Sequence, residues 1–267
     1  MQPSTFPARI HLLPAKTAPI VIVIRRKPSK LFHVLKWDTD LDELQAGSWF
    51  HGKLYPMRCD VSPDGRHMVY LAMGSGGHTW NGVCEPPFLR TMAEGENMGT
   101  WSGGGYFASD ERLLVNSWSP SKGDLPFRCE PLQGEHGGED LSVLVPRLER
   151  DGWRRRGLEW GREVERVGTS KLTVDQIGDD GWAWRPSKGV PELRMRFLGY
   201  LEHGYTFGFE LEGHSGLLDG VDWACYDSRG RLVYTQAGSL YLWGPEDLDR
   251  GEPRSVHDLE GLESPPR

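Results

Sequence analysis

Met57–Met73 reads MRCDVSPDGRHMVYLAM, a strand, a tight turn and a second strand. Proline in Ser62-Pro63-Asp64-Gly65 presets φ at about −65°, and Asp-Gly accepts the positive φ that follows in such a turn. The arm before the turn alternates small or apolar residues with polar ones. The arm after it, Met68-Val69-Tyr70-Leu71-Ala72-Met73, is apolar at consecutive positions. A strand with two apolar faces belongs between two other layers. The expected fold therefore stacks short sheets face to face.

Composition is consistent with this. A chain of 267 residues, 37% hydrophobic and 26% charged, suits a soluble globular protein with a substantial core in a single domain over 1–267. Thirty-four glycines and 19 prolines favour many turns over long helices. Eleven tryptophans supply flat surface for packing between sheets or for recognition at a rim. The formal charge of −7 argues against coating nucleic acid through bulk charge. Cys59, Cys84, Cys129 and Cys225 form no C-x-x-C pair, so buried free thiols are expected rather than disulfides or structural zinc. The start, MQPSTFPARIHLLPAK, lacks a basic region followed by an apolar core, and the apolar run from Ala18 to Ile24 is too short for a bilayer. A cytoplasmic protein is the expectation.

Strand signals recur along the chain. The β-branched run Pro19–Ile24 and the run Leu31–Leu35 flank a basic, proline-containing turn, Arg25 to Lys30. Ala46–Leu54 reads as a short strand, and residues 74–100 as irregular. Trp101–Ala108 and Leu113–Asn116 flank Ser109-Asp110-Glu111-Arg112. A polar insertion is expected near 119–140. Leu141–Val145 and Gly152–Arg155 read as strands about a turn at Arg150-Asp151, and Gly181–Trp184 and Glu192–Phe197 as another pair. Tyr205–Leu211 alternates. Val221–Tyr226, Arg231–Tyr234 and Ser239–Trp243 make the last unit, before a tail from about 245 that is expected to fray.

The turns at Ser29, Gly65, Glu111, Gly152, Gly189 and Gly230 are spaced by 36, 46, 41, 37 and 41 residues. A period near forty fits four short strands and their turns. On Ser62-Pro63-Asp64-Gly65-Arg66 and Asp227-Ser228-Arg229-Gly230-Arg231, and more loosely on Ser109–Arg112, the chain resembles the WD40-like and TolB-like β-propellers. It lacks the Gly-His…Trp-Asp signature at WD40 spacing. The resemblance implies an all-β propeller of five or six four-stranded blades; a β-sandwich or mixed β fold is the alternative. It also implies a non-enzymatic protein-binding scaffold, of the kind that serves as a subunit of larger bacterial assemblies. The rivals are a hydrolase or lyase at the central channel, and a recogniser of nucleotide or nucleic acid through basic hairpins.

Motifs for chemistry are weak. Gly213-His214-Ser215-Gly216 lacks the fifth glycine of a nucleophile elbow and no helical pattern follows it. Asp38, Asp40 and Asp42 imitate the start of a calcium loop, but Glu43 and Trp49 stand where glycine and glutamate are required. The nine histidines have no zinc spacing, and the glycine-rich stretches at 74–77 and 103–105 match no phosphate loop. No metal and no cofactor is expected. Two basic clusters remain, Arg25-Arg26-Lys27 with Lys30, and Arg154-Arg155-Arg156, since arginine's planar fork suits phosphate or carboxylate. With His78, Trp80 and Trp101 beside the glycine loops, and Arg58 and Trp118, residues Arg25 and Arg26 complete the candidate binding set.

Overall fold

The computed structural model describes residues 6–97, 99–121, 123–133, 140–156, 181–201 and 204–266. Its opening strand is β1 (Arg9–Pro14), followed by β2 (Ile20–Arg26), β3 (Leu31–Asp38) and β4 (Glu43–Leu54) in an antiparallel meander. Strand β4 is long enough to do two jobs. Most of it pairs with β3, while Gly52–Leu54 cross to β6 (Met68–Gly74), which also pairs with β5 (Asp60–Val61) and β7 (Thr79–Cys84). With β8 (Thr91–Asn97) these make one eight-stranded sheet of two four-stranded halves. Glycine is required at the crossing, because a Cβ on Gly52 would lie 2.4 Å from the Met73 carbonyl oxygen.

Three smaller sheets follow. One contains β9 (Gly105–Ser109), β10 (Arg112–Val115) and β11 (Arg128–Pro131), the last pair parallel. Helix α1 (Leu141–Arg150) leads to β12 (Arg154–Arg156), β13 (Gly181–Trp184), β14 (Leu193–Leu201) and β15 (Gly204–Leu211). The last sheet is β16 (Val221–Tyr226), β17 (Leu232–Gln236), β18 (Ser239–Trp243), then helix α2 (Pro245–Arg250) and β19 (Ser255–Asp258).

The turn at Ser62 forms as expected. Gly65 sits at φ +77°, its N–H bonds Ser62 O at 2.8 Å, and Asp64 Oδ1 accepts the Ser62 hydroxyl at 2.6 Å. Asp227-Ser228-Arg229-Gly230 repeats the device, with Gly230 at φ +75° and Asp227 Oδ1 accepting the Arg229 N–H at 2.9 Å.

Alternation decides what touches what. Along β2, Val21 and Val23 join one core while Ile22 and Ile24 join another. The first core continues through the sheets of β12–β15 and β16–β19 and the apolar side of α1; the second packs β1–β3 against β5–β7. Along β6, Met68, Tyr70 and Ala72 belong to the second core, and Val69 to a third with Phe107, Leu113 and Val115. Both faces of β6 are buried, as its apolar run implied. The result is an all-β architecture of several antiparallel sheets packed face to face.

Four sequence readings change. Arg9–Pro14 forms a strand ahead of the expected first one. Residues 74–100 are not irregular: they hold β7 and β8, and Gly82, which reads as a breaker, is a packing glycine whose Cβ would lie 2.4 Å from the Tyr70 ring. Leu141–Val145 is helical, because Leu141, Leu144, Val145 and Leu148 form a stripe at helical spacing that outweighs the β-branched valines. The segment from Pro245, expected to fray, forms α2 and β19, and Leu259 is buried.

That terminal segment fastens the last sheet to the first. Arg25 donates to Leu259 O at 2.6 Å and Glu260 O at 2.9 Å, Ala8 N–H bonds Glu260 Oε2 at 2.7 Å, and Lys27 pairs with Glu260. Thr235 Oγ1 donates to Ile10 O at 3.1 Å and Thr39 Oγ1 to Asp227 Oδ2 at 2.9 Å.

Candidate functional site

A cleft of about 370 Å³ opens where β1 and β2 meet the β15–β16 region. Period-two alternation builds its wall. Arg9 and His11 lie two residues apart on β1, and their cross-strand partners on β2 are Arg26 and Ile24. All four line the cleft, with Phe32, Met57, Phe207 and Trp223 supplying apolar surface. Opposite them β16 shifts register between Val221 and Trp223, so Asp222 is the extra residue of a bulge. Bulges turn side chains out of the regular ladder, and Asp222 joins the lining.

The charges in this cleft are unusual. Arg9 and Arg26 are direct cross-strand partners, an arrangement in which like charges repel. Burial lowers the Arg26 pKa and the nearby Arg9 charge lowers it further. Arg26 donates Nε–H to Ser29 O at 2.9 Å and its guanidinium stands 5.7 Å from the Phe32 ring centroid. Neither arginine has a carboxylate at ion-pairing distance among the described residues. Asp222 is reached by solvent yet crowded by protein, as a group on a concave wall is. That crowding pushes its pKa up to about 6, against the opposing pull of the Ile10 backbone and Arg9. His11 tilts over Trp223 at 4.1 Å between ring centroids. Its pKa lies well below the ordinary histidine value, first through burial and then through Arg147.

Behind His11 lies a sealed cluster with the opposite bookkeeping. Asp60 accepts Phe107 N–H at 2.8 Å and is clasped by Arg150, whose Nη2 lies 3.0 Å from Oδ1 and whose Nη1 reaches Oδ2. Arg150 also donates to Phe107 O at 2.6 Å and to Asp151 Oδ1 at 2.9 Å. Arg147 donates to the carbonyls of Pro56 at 3.3 Å and Cys59, and its Nη2 faces His11 Nε2 at 3.4 Å. A guanidinium only donates, so this His11 nitrogen is the acceptor and the neutral ring carries its proton on Nδ1. Lys16 donates to Asp151 O at 2.9 Å and stands over Trp184. Every charge here is used to seat α1.

No family model matches this chain, and no curated protein sequence does. The solved structures it is similar to include these two. One is an uncharacterised protein from Listeria monocytogenes EGD-e, at 9% identity and TM-score 0.33 over 94% of this chain and 84% of the other. The second is the β-propeller domain of the Trilobed protease from Pyrococcus furiosus, described as having an open velcro topology, at 12% identity and TM-score 0.31 over 96% and 86%.

The residues singled out in the sequence do not converge. Arg26 lines the cleft, whereas Arg25 points away into the terminal clasp. Arg58 is wholly buried, bonded to Asp140 Oδ1 at 2.7 Å and Ser102 O at 2.9 Å. Trp118 is buried too, its Nε1–H on Gly104 O at 2.7 Å. His78 and Trp80 stack on each other with ring centroids 5.8 Å apart on and beside β7, far in sequence and sheet position from β1. Trp101 is 80% exposed. Of the second basic cluster, Arg154 is exposed, while the side chains of Arg155 and Arg156 lie outside the described residues.

The weaker motifs resolve as loops and caps. Asp38 caps the N–H groups of Asp40 and Leu41, Asp40 pairs with Arg229 and Arg231, and Asp42 accepts Trp37 Nε1–H at 3.1 Å. Gly213 and Gly216 take positive φ in turns after β15. Among the described residues no histidine, cysteine, aspartate and glutamate group could hold a metal. No disulfide links the four cysteines, and burial pushes the Cys59 thiol up to about 12. No helix among the described residues is long and apolar enough to cross a membrane.

Arg9, His11 and Asp222 escaped the sequence reading. The alternation Arg9, His11, Leu13 against Ile10, Leu12 was the signal for β1. Asp222 carried none, because its position depends on a bulge.

Proposed function

We infer that this chain is a non-enzymatic binding module whose sheets are arranged as the blades of a five-bladed β-propeller. Support for the arrangement comes from the two halves of the large sheet and the three smaller sheets, each burying apolar faces against the next. The terminal clasp then closes the ring without a shared strand. The buried charges of Asp60, Arg147, Arg150 and Asp151 are consumed in mutual pairs and backbone contacts, which favours a structural centre over a catalytic one.

The binding reading rests on Trp101. An indole 80% exposed is costly to leave in water, and large aromatic side chains anchor protein interfaces. The glycine-rich stretch that carries it is fixed: Arg58 holds Ser102 O, Gly103 N–H bonds Asn116 O at 2.9 Å, and Gly104 packs on Arg58 where a Cβ would meet Arg58 O at 2.2 Å. A partner protein thus meets an indole carried on ordered backbone, which limits the entropic cost of binding. The test is quantitative capture from cells by the intact chain and by Trp101→Ala, with matched melting temperatures. One protein lost about tenfold or more from the variant supports the reading; identical capture by both refutes Trp101 as the anchor.

A further inference from the structure

The lining of the cleft between β1, β2 and β16 does not include Trp101, and the cleft carries its own inference. We propose that it binds a small amphipathic anion, a single carboxylate or phosphate head held by Arg9 and Arg26 with an aromatic or aliphatic body against Phe32, Met57, Phe207 and Trp223.

Three observations carry this. First, Arg9 and Arg26 stand directly opposite each other on paired strands, with no carboxylate at ion-pairing distance among the described residues. Guanidinium groups are what a carboxylate or phosphate accepts hydrogen bonds from, and an arriving anion converts their repulsion into attraction. Second, the volume of about 370 Å³ lies in the range of small-ligand sites, and its rings and methionine are apolar, as such sites require. Third, the bulge at Asp222 sets one carboxylate across from the arginines. With His11 neutral, the described lining carries two positive charges and one negative, and a single anionic head neutralises it.

Asp222 also makes the site pH-sensitive. Among the described residues, the charged and titratable groups that line the cleft with it are Arg9 and His11 from β1 and Arg26 from β2, whereas Thr206 and Phe207 of β15 and Gln236 of β17 are uncharged. Burial together with Arg147 holds the His11 pKa well below the ordinary histidine value, which keeps the ring neutral. Between about pH 7.5 and about pH 5.5 Asp222 is the group of the described lining that changes charge, and its protonation removes the negative charge of that lining.

Calorimetric titration of the intact chain with phenyl phosphate, phenylacetate, inorganic phosphate and benzylamine tests this. Binding of either phenyl anion at one site per chain, with inorganic phosphate and benzylamine weaker by about tenfold or more, supports the proposal. Phenyl phosphate alone assigns a phosphate head and phenylacetate alone a carboxylate. Arg9→Gln and Arg26→Gln each weaken binding by about tenfold or more while the melting temperature holds or rises. Phenylacetate, ionised throughout, binds severalfold tighter at about pH 5.5 than at about pH 7.5. Asp222→Asn, on the solvent-reached wall, binds tightly at both. No heat from either phenyl anion, benzylamine binding as well as they do, or affinity unchanged in all three variants overturns the proposal.

Discussion

Two groups of charges lie on either side of His11, and they are built on opposite terms. On the sealed side Asp60, Arg147, Arg150 and Asp151 are buried or nearly so, and each has its partners. On the open side Arg9 faces Arg26 across a strand pair, and Asp222 sits out on a bulge beyond salt-bridge reach of both. The same residue types serve the fold in one place and burden it in the other. Paired charges in a dry interior hold geometry; like charges left unpaired in a wet cleft keep a surface ready for something else.

The contrast breaks first, and with the largest effect, at Asp60. Asp60→Ala strands Arg150 and leaves Phe107 N–H unmatched, so it costs about 3–5 kcal/mol in equilibrium urea unfolding. Asp222→Ala, on the open wall, moves the same measurement by no more than about 0.5 kcal/mol. Equal losses for the two would erase the distinction.

An intermediate effect belongs to the terminal clasp. Arg25→Met keeps the apolar stem but leaves the carbonyls of Leu259 and Glu260 without their donors, at a cost of about 1–3 kcal/mol. Hydrogen exchange in β19 should rise with it. Slow exchange there in the variant would mean that the clasp does not hold the last sheet.

The smallest effect is a pH dependence. Crowding raises the folded Asp222 pKa to about 6, above its unfolded value near 3.9. Over that interval the native state binds more protons, so this group lowers stability as pH rises from about 4 to about 6. The melting temperature of wild type relative to Asp222→Asn therefore falls across that window. A difference that stays flat would show that Asp222 titrates normally.

Much of the strand pattern was legible in the sequence. The SPDG turn, the doubly apolar β6 and the repeat of the turn at Asp227 are local signals, and local chemistry suffices to read them. The readings that changed depended on distant partners. Gly82 looks like a breaker until the Tyr70 ring is seen lying across it, and Leu141–Leu148 is ambiguous between β-branched and helical patterns until α1 finds Asp60 and Phe107. Arg25 and Arg26, adjacent in sequence, point to opposite faces of β2 and serve different ends. Arg58, a candidate binding residue by sequence, is a buried post under Gly104. The cleft itself combines residues from the first strands and from β16, a pairing that no local pattern announces.

Equilibrium urea unfolding of Arg26→Gln tests the contrast most directly. Relief of the Arg9–Arg26 repulsion predicts stability at or above wild type, by up to about 1 kcal/mol. A loss comparable to that of Asp60→Ala would show instead that Arg26 is a structural charge, and that the open cleft is held by the same means as the sealed cluster.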